Sequence, residues 1–217
     1  MKICLLGATG RTGKLVLAAA LKEGHEVTCL ARNTSRIHPQ PGLNILEGDT
    51  TNEQDLRRSL EGCEGVISVL NVSRNSDFPW SRLRTPPTLL SDTMKILLPL
   101  ITTLGIQRLV VCSAWGVGET ANDIPGWFSW FINNSNIGVA YQDHARQEQL
   151  VEASNIPWTI VQPVGLTNSS VKQKVRESFS NEQKPNLTIS RRSVAYFLLA
   201  ALTKPELMSM KVVISKE

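Results

Sequence analysis

Cysteine is scarce in this chain of 217 residues: four occur, at positions 4, 29, 63 and 112, and no two form a Cys-x-x-Cys pair. That spacing supports neither a disulfide framework nor a metal site. Cys4, Cys29 and Cys112 fall in apolar strand-like runs, where the thiol behaves as a small buried hydrophobe; Cys63 falls in a polar turn and is expected to be exposed. No stretch approaches the ~20 apolar residues of a membrane span. A glycine turn follows Lys2 too soon for a signal peptide, so a cytoplasmic location is expected. Repeats and low-complexity segments are absent. The charge is basic, with 23 Lys and Arg against 19 Asp and Glu, yet the basic residues are scattered rather than run together. Scattered charge argues against a nucleic-acid partner and fits a solvated surface with local attraction for an anionic ligand. With 41% hydrophobic and 19% charged residues, the chain is expected to fold around one sizeable core.

Its organising stretch is Gly7-Ala8-Thr9-Gly10-Arg11-Thr12-Gly13, set between the apolar run Ile3-Cys4-Leu5-Leu6 and a helical pattern at Leu15, Val16, Ala19 and Ala20. Strand, glycine turn and helix come in the order of a dinucleotide site. Gly7 would turn the chain out of the strand, Gly10 would let N–H groups approach a pyrophosphate, and Gly13 would let the helix pack closely. Phosphates would then meet unpaired N–H groups at the positive end of a helix.

A second strand is expected at 26–31. In NAD sites an acid near the end of this strand grips the ribose 2′-hydroxyl, whereas an arginine receives a 2′-phosphate. The residues here are Arg32-Asn33-Thr34-Ser35-Arg36, without an acid. Two guanidinium forks with small hydroxyls favour NADP(H) over NAD(H). A third strand at 43–47 leads to Gly48-Asp49-Thr50. Asp49 is placed either to accept from an adenine amino group or to cap a helix at 52–60. A fourth strand is expected at 66–70, then a loop at 71–87 holding Arg74, Trp80, Arg82 and Arg84. A helix follows at 88–104, kinked or split at Pro99 and closed by Gly105. The fifth strand, 108–112, ends in Ser113-Ala114-Trp115-Gly116.

Residues 116–140 are irregular and aromatic at 126–131, which reads as a substrate lid, a satellite hydrophobic cluster or a dimer contact. A polar-faced helix starting at Tyr141, a sixth strand at 158–162, a helix at 192–202 and a short last strand near 212–214 complete the chain. The expected fold class is α/β, a doubly wound parallel sheet of six strands with a small C-terminal elaboration, in a single domain over 1–217.

The segments GATGRTG (7–13), LARNTSR (30–36), GDTT (48–51), VLNVSRN (69–75), VVCSA (110–114), DHARQEQLVEAS (143–154) and QPVGL (162–166) resemble, in this order, an atypical short-chain dehydrogenase/reductase. Within that group the chain is most similar to the flavin reductase/biliverdin-IXβ reductase branch and its NmrA-like relatives. The resemblance implies a Rossmann fold in which Gly7, Thr9, Gly10, Arg11, Thr12 and Gly13 hold the pyrophosphate. It implies Arg32 and Arg36 on the 2′-phosphate, Asp49 and Thr50 at the adenine, and Leu70 and Asn71 at the ribose. Arg74 would serve a phosphate or the substrate rim, while Ser113, Pro163 and Val164 flank the nicotinamide and His144 lines the substrate side. The Tyr-x-x-x-Lys pair of the wider superfamily is missing, since Ala145 follows Tyr141 by four residues, so Tyr141 is not expected to be the acid. A histidine common in the branch is replaced by Gly165, which favours a flavin over a tetrapyrrole.

The expected activity is therefore hydride transfer from NADPH to a planar small molecule such as a flavin, quinone or tetrapyrrole. Ser113 would orient the acceptor or the carboxamide, and His144 would donate a proton or hydrogen bond, unless it is a surface helix residue. A non-catalytic NADP(H) sensor is the alternative, and a sugar-nucleotide epimerase a weaker one.

Overall fold

The computed structural model describes residues 1–180 and 182–217. The predominantly apolar runs of residues 3–6, 66–68 and 109–111 become strands buried on both faces, as parallel sheets require. The strands are β1 (Lys2–Leu6), β2 (Glu26–Ala31), β3 (Leu43–Glu47), β4 (Gly65–Ser68), β5 (Arg108–Cys112), β6 (Trp158–Pro163), β7 (Gly165–Thr167), β8 (Val175–Ser178), β9 (Thr188–Ser190) and β10 (Met210–Lys216). The helices are α1 (Arg11–Lys22), α2 (Glu53–Leu60), α3 (Leu89–Leu104), α4 (Gly126–Asn133), α5 (Ile137–Glu152) and α6 (Arg191–Ala201).

The main sheet has the order β3-β2-β1-β4-β5-β6-β10-β8. Every pairing in it is parallel except the last, in which β8 runs antiparallel to β10. This is the doubly wound nucleotide-binding order, extended by two strands. The expected six strands are thus eight. The segment near 212–214 is no appendage: β10 spans 210–216 and inserts between β6 and β8. Its four buried residues Val212–Ser215 explain the placement. The C-terminal elaboration is β8 with the small parallel pair β7–β9.

One core layer, around Ile3, Val16, Ala20, Val194 and Leu198, lies under α1 and α6. The other, around Leu56, Met94, Leu97, Leu109 and Ile160, lies under α2, α3 and α5. α3 runs as one element through Pro99 and ends at Gly105 in the left-handed region, φ +68°. Pro99 lies on the exposed side, and the helix is not split there. Cys63 proves buried rather than exposed, because its thiol packs under α2 and bonds the Ser59 carbonyl at 3.5 Å.

Two buried polar anchors fix the framework. Asp143 on α5 accepts from Leu90 N at 2.7 Å and Ser91 Oγ at 2.6 Å, capping the α3 N-terminus that Thr88 leaves without a side-chain cap. Arg108 on β5 donates to the carbonyls of Ala201 and Trp158 and to Thr159 Oγ1, tying the α6 C-terminus to the sheet.

Candidate functional site

The strand order reverses between β1 and β4, and a ligand crevice is expected outside the carboxyl ends at such a point. A cleft of about 390 Å³ lies there. The turn after β1 supplies Gly10, Arg11, Thr12 and Gly13; β4 leads into Leu70 and Asn71; β5 leads into Ser113 and Trp115; β6 leads into Pro163 and Val164. Chain segments far apart in sequence converge because the parallel strands all end on one edge.

The glycine turn is sterically constrained. Gly7 has φ +89°, and a Cβ there would sit 2.8 Å from the Val69 carbonyl oxygen; at Gly13 it would meet Gly7 O at 2.1 Å. Gly10 is the N-cap of α1, gives no side-chain cap, and no acid occupies the first turn. The helix start therefore has neither a side-chain cap nor an acid in its first turn, which suits a pyrophosphate. The guanidinium of Arg11, which also lines the cleft, makes a bidentate pair with Asp77 of the 71–87 loop, at 2.8 and 2.9 Å. Arg74 lines the cleft, and its buried Nε has no partner.

Arg32 and Arg36, which follow β2, do not line this cleft; they are exposed, and among the described residues no carboxylate lies within ion-pair distance of either. Asn33 Oδ1 accepts from Ser35 N and Oγ, shaping the loop between them. Asp49 Oδ1 accepts from Thr51 N and Oγ1, and the α2 cap is Asn52, so Asp49 is not the cap. Thr50 is buried with its hydroxyl 2.9 Å from Thr93 Oγ1 on α3.

One wall of the cleft is built from the end of β5 and from α5. α5 begins at Ile137, so Tyr141 stands a full turn inside it rather than at its start. Burial pushes the Tyr141 phenol up to about 12, and its hydroxyl donates to the Trp115 carbonyl at 3.3 Å. Its ring meets Phe128 edge-on at 6.3 Å, so Trp115, Phe128 and Tyr141 form an aromatic wall of the cleft. The polar face of α5 points inward: Asp143, His144, Gln147 and Glu148 are all buried.

His144 is accordingly not a surface residue. Burial pulls its pKa from 6.5 down to about 4, against a small opposing effect of Asp143. Gln147 Nε2 lies 3.3 Å from His144 Nδ1; with the amide donating, the neutral ring carries its proton on Nε2. Ser113, 5% exposed, lines the cleft and donates through Oγ to Glu148 Oε1. Glu148 Oε1 also accepts from Gln162 Nε2 at 2.9 Å. Glu148 and Gln162 escape a reading by motif, although the four-residue step from His144 to Glu148 places both on one helical face.

The segment 116–140 contains a 3₁₀ turn at Gly118–Asn122 and α4. Trp80 ties it to the 71–87 loop, donating from Nε1 to Asn134 O at 2.7 Å and meeting Phe131 edge-on at 5.6 Å. Trp127, Trp130 and Phe78 remain exposed. No helix among the described residues is long and apolar enough to cross a membrane.

Residues 7–205 match the family described as NAD(P)H-binding. The uncharacterized protein YwnB of Bacillus subtilis is 47% identical over 219 residues, covering 95% of this chain and 94% of that one. A photosystem II assembly factor of Trieres chinensis is 26% identical over 215 residues; 95% of this chain aligns, but it spans only 61% of that protein. A short-chain dehydrogenase/reductase of Veillonella parvula, solved in complex with NADP, superposes with a TM-score of 0.81 at 19% identity, over 99% of this chain and 94% of the other.

Proposed function

Because this chain belongs to the NAD(P)H-binding family, we propose that it is an NADPH-dependent reductase passing hydride to a planar acceptor, with a flavin the preferred class. The observation that carries this reading is one cleft that joins an uncapped, acid-free helix N-terminus to Ser113, His144 and an aromatic wall. The backbone of residues 10–13 would hold the pyrophosphate. Arg32 and Arg36, without carboxylate partners among the described residues, would hold the 2′-phosphate. Leu70 and Asn71 would border the ribose, and Ser113, Pro163 and Val164 the nicotinamide. Bound NADPH supplies the hydride.

The chain's own groups orient and shield. Trp115, Phe128 and Tyr141 offer ring faces and edges to a flat acceptor and exclude water from it. His144, neutral above pH 4, offers an N–H rather than a charge. Arg74, with an orphaned buried Nε, favours an acceptor bearing an anionic group, as a flavin nucleotide does over a simple quinone. A side chain at 165 is excluded, since a Cβ there would lie 2.8 Å from the Leu187 carbonyl oxygen; this supports a flavin ahead of a tetrapyrrole, whose reductases in the resembled branch place a histidine at that point.

The test is loss of nicotinamide absorbance with and without FMN, with NADH run in parallel. NADPH consumed only with flavin supports the reductase; tight NADPH binding without turnover across flavins, quinones and tetrapyrroles overturns it. The second outcome would favour an NADP(H)-sensing protein, a reading supported by Trp127 and Trp130, 68% and 60% exposed on the lid, as a partner surface.

A further inference from the structure

Glu148 stands out among the buried polar groups that the proposed hydride transfer does not use. It is 2% exposed, and among the described residues no cation lies within ion-pair distance of it. Oε1 takes two hydrogen bonds, from Ser113 Oγ and Gln162 Nε2, while Oε2 is buried without a partner. Gly118 covers that oxygen so closely that a Cβ would come within 3.3 Å of it. An ionised carboxylate with one bare oxygen and no counter-ion is a costly occupant of such a site, whereas a neutral acid is not.

The charged and titratable neighbours are few. On β10, Lys211 is already shared by Glu119 at 3.0 Å and Glu152 at 2.5 Å. On α5, Glu152 stands one turn beyond and neutral His144 one turn before. From β5 and β6 only Ser113 and Gln162 approach, both uncharged. Burial raises the Glu148 pKa; the hydrogen bonds from Ser113 and Gln162 and the charge of Lys211 oppose it, and Glu152 adds to it.

We propose that Glu148 is the positioning residue and proton partner of Ser113: when protonated it turns the Ser113 O–H into the cleft, and when ionised it draws that O–H away. In the protonated state the carboxyl O–H donates to Ser113 Oγ, and the serine proton is free for an acceptor atom in the cleft. In the ionised state Ser113 donates to Oε1 and offers the cleft only lone pairs. The role in turnover rests on the reductase reading. There, as hydride adds at one atom of the planar acceptor, the electron pair gathering on a conjugated heteroatom takes the Ser113 proton. Ser113 oxygen takes the proton of Glu148, and the resulting carboxylate regains one from water. One hydride and one proton enter the acceptor, and the protein returns unchanged. Ser113 with Glu148 thus fills the place left by the missing Tyr-x-x-x-Lys pair.

The first test needs no turnover. Infrared titration of the carboxyl C=O band in cofactor-free protein should show one carboxyl titrating above the rest. It should vanish in Glu148→Gln and move higher in Ser113→Ala, which removes a hydrogen bond that favours the ionised form. A Glu148 that titrates with the surface carboxylates, or is unmoved in Ser113→Ala, overturns the pairing. The second test is the pH profile of kcat with NADPH and FMN. An alkaline limb should coincide with that titration. It should disappear in Glu148→Gln, with kcat down about 10- to 100-fold and KM for NADPH within about twofold, and survive in Glu148→Asp. A limb that persists in Glu148→Gln overturns the relay. Absence of turnover in the wild type overturns the reductase reading and the relay with it, while the infrared titration still decides the pairing.

Discussion

Burial of His144 makes stability depend on pH in a calculable way. An imidazole whose pKa falls from 6.5 to about 4 on folding binds its proton more weakly in the native state than in the unfolded chain. The stabilisation is therefore present above pH 6.5 and lost as the pH falls toward 4. The gap of about 2.5 in pKa corresponds to roughly 3 kcal/mol in full, and about 2 kcal/mol of that is lost between pH 7 and pH 5. Asp55 and Asp92, whose carboxyls are held below the usual range by hydrogen bonds, stay ionised through this window and add no slope. Glu148 contributes with the opposite sign, since its raised pKa favours the folded state as the pH falls. The comparison with His144→Gln isolates the histidine, because glutamine keeps an acceptor near Gln147 and carries no titrating proton. Urea unfolding at pH 7, 6 and 5 should show the wild type losing about 2 kcal/mol relative to the variant. A difference constant within about 0.5 kcal/mol would refute a buried neutral His144, and with it the assignment of an N–H donor at that wall.

Arg32→Ala should weaken NADPH by about 10- to 100-fold and leave NADH nearly unchanged, since one charge-assisted bond is worth ~1.5–3 kcal/mol; isothermal titration with both cofactors reads this, and equal losses remove Arg32 from the 2′-phosphate. Gly13→Ala places a Cβ 2.1 Å from the Gly7 carbonyl oxygen, so the turn must open. We expect roughly 1–3 kcal/mol of lost stability and loss of measurable NADPH binding, checked by urea unfolding and fluorescence. Asp77→Ala frees Arg11 from an exposed pair worth about 0.2–1 kcal/mol at most. Thermal stability should hold while NADPH binds up to about fivefold tighter at low salt; weaker binding would show that the pair helps to form the site. Ser113→Ala should lower turnover with flavin and barely change NADPH affinity, measured by steady-state kinetics beside equilibrium binding.

The fold was legible because its signals are local. Most strands of the nucleotide half are predominantly apolar, and the glycine turn has the spacing that the backbone of Gly7 and Gly13 demands. β10 was underestimated because only its middle is apolar, and β8, reading Val-Arg-Glu-Ser, carries no periodic pattern at all. Its place is set by pairing with β10, a tertiary fact. The same holds for Cys63, whose polar neighbours gave no sign that α2 would cover its thiol.

α5 shows why the candidate site was only half legible. Polar residues at 143, 144, 147 and 148 form one helical stripe, and a polar stripe ordinarily faces water. Here it faces inward, because two of its members meet groups that the rest of the fold has left open, while His144 and Gln147 pair with each other. Asp143 fills the uncapped start of α3, and Glu148 meets Ser113 and Gln162 at the ends of β5 and β6. None of those partners lies within 13 residues of the side chain it meets, so no window along the chain displays the pairing. The inward stripe also ties site to stability: the side chains that line the reacting end are those whose desolvation makes the fold sensitive to pH. Substitutions at 144 and 148 should therefore alter the pH dependence of folding and of turnover together, whereas substitution of the exposed Arg32, outside the cleft lining, should alter cofactor choice alone.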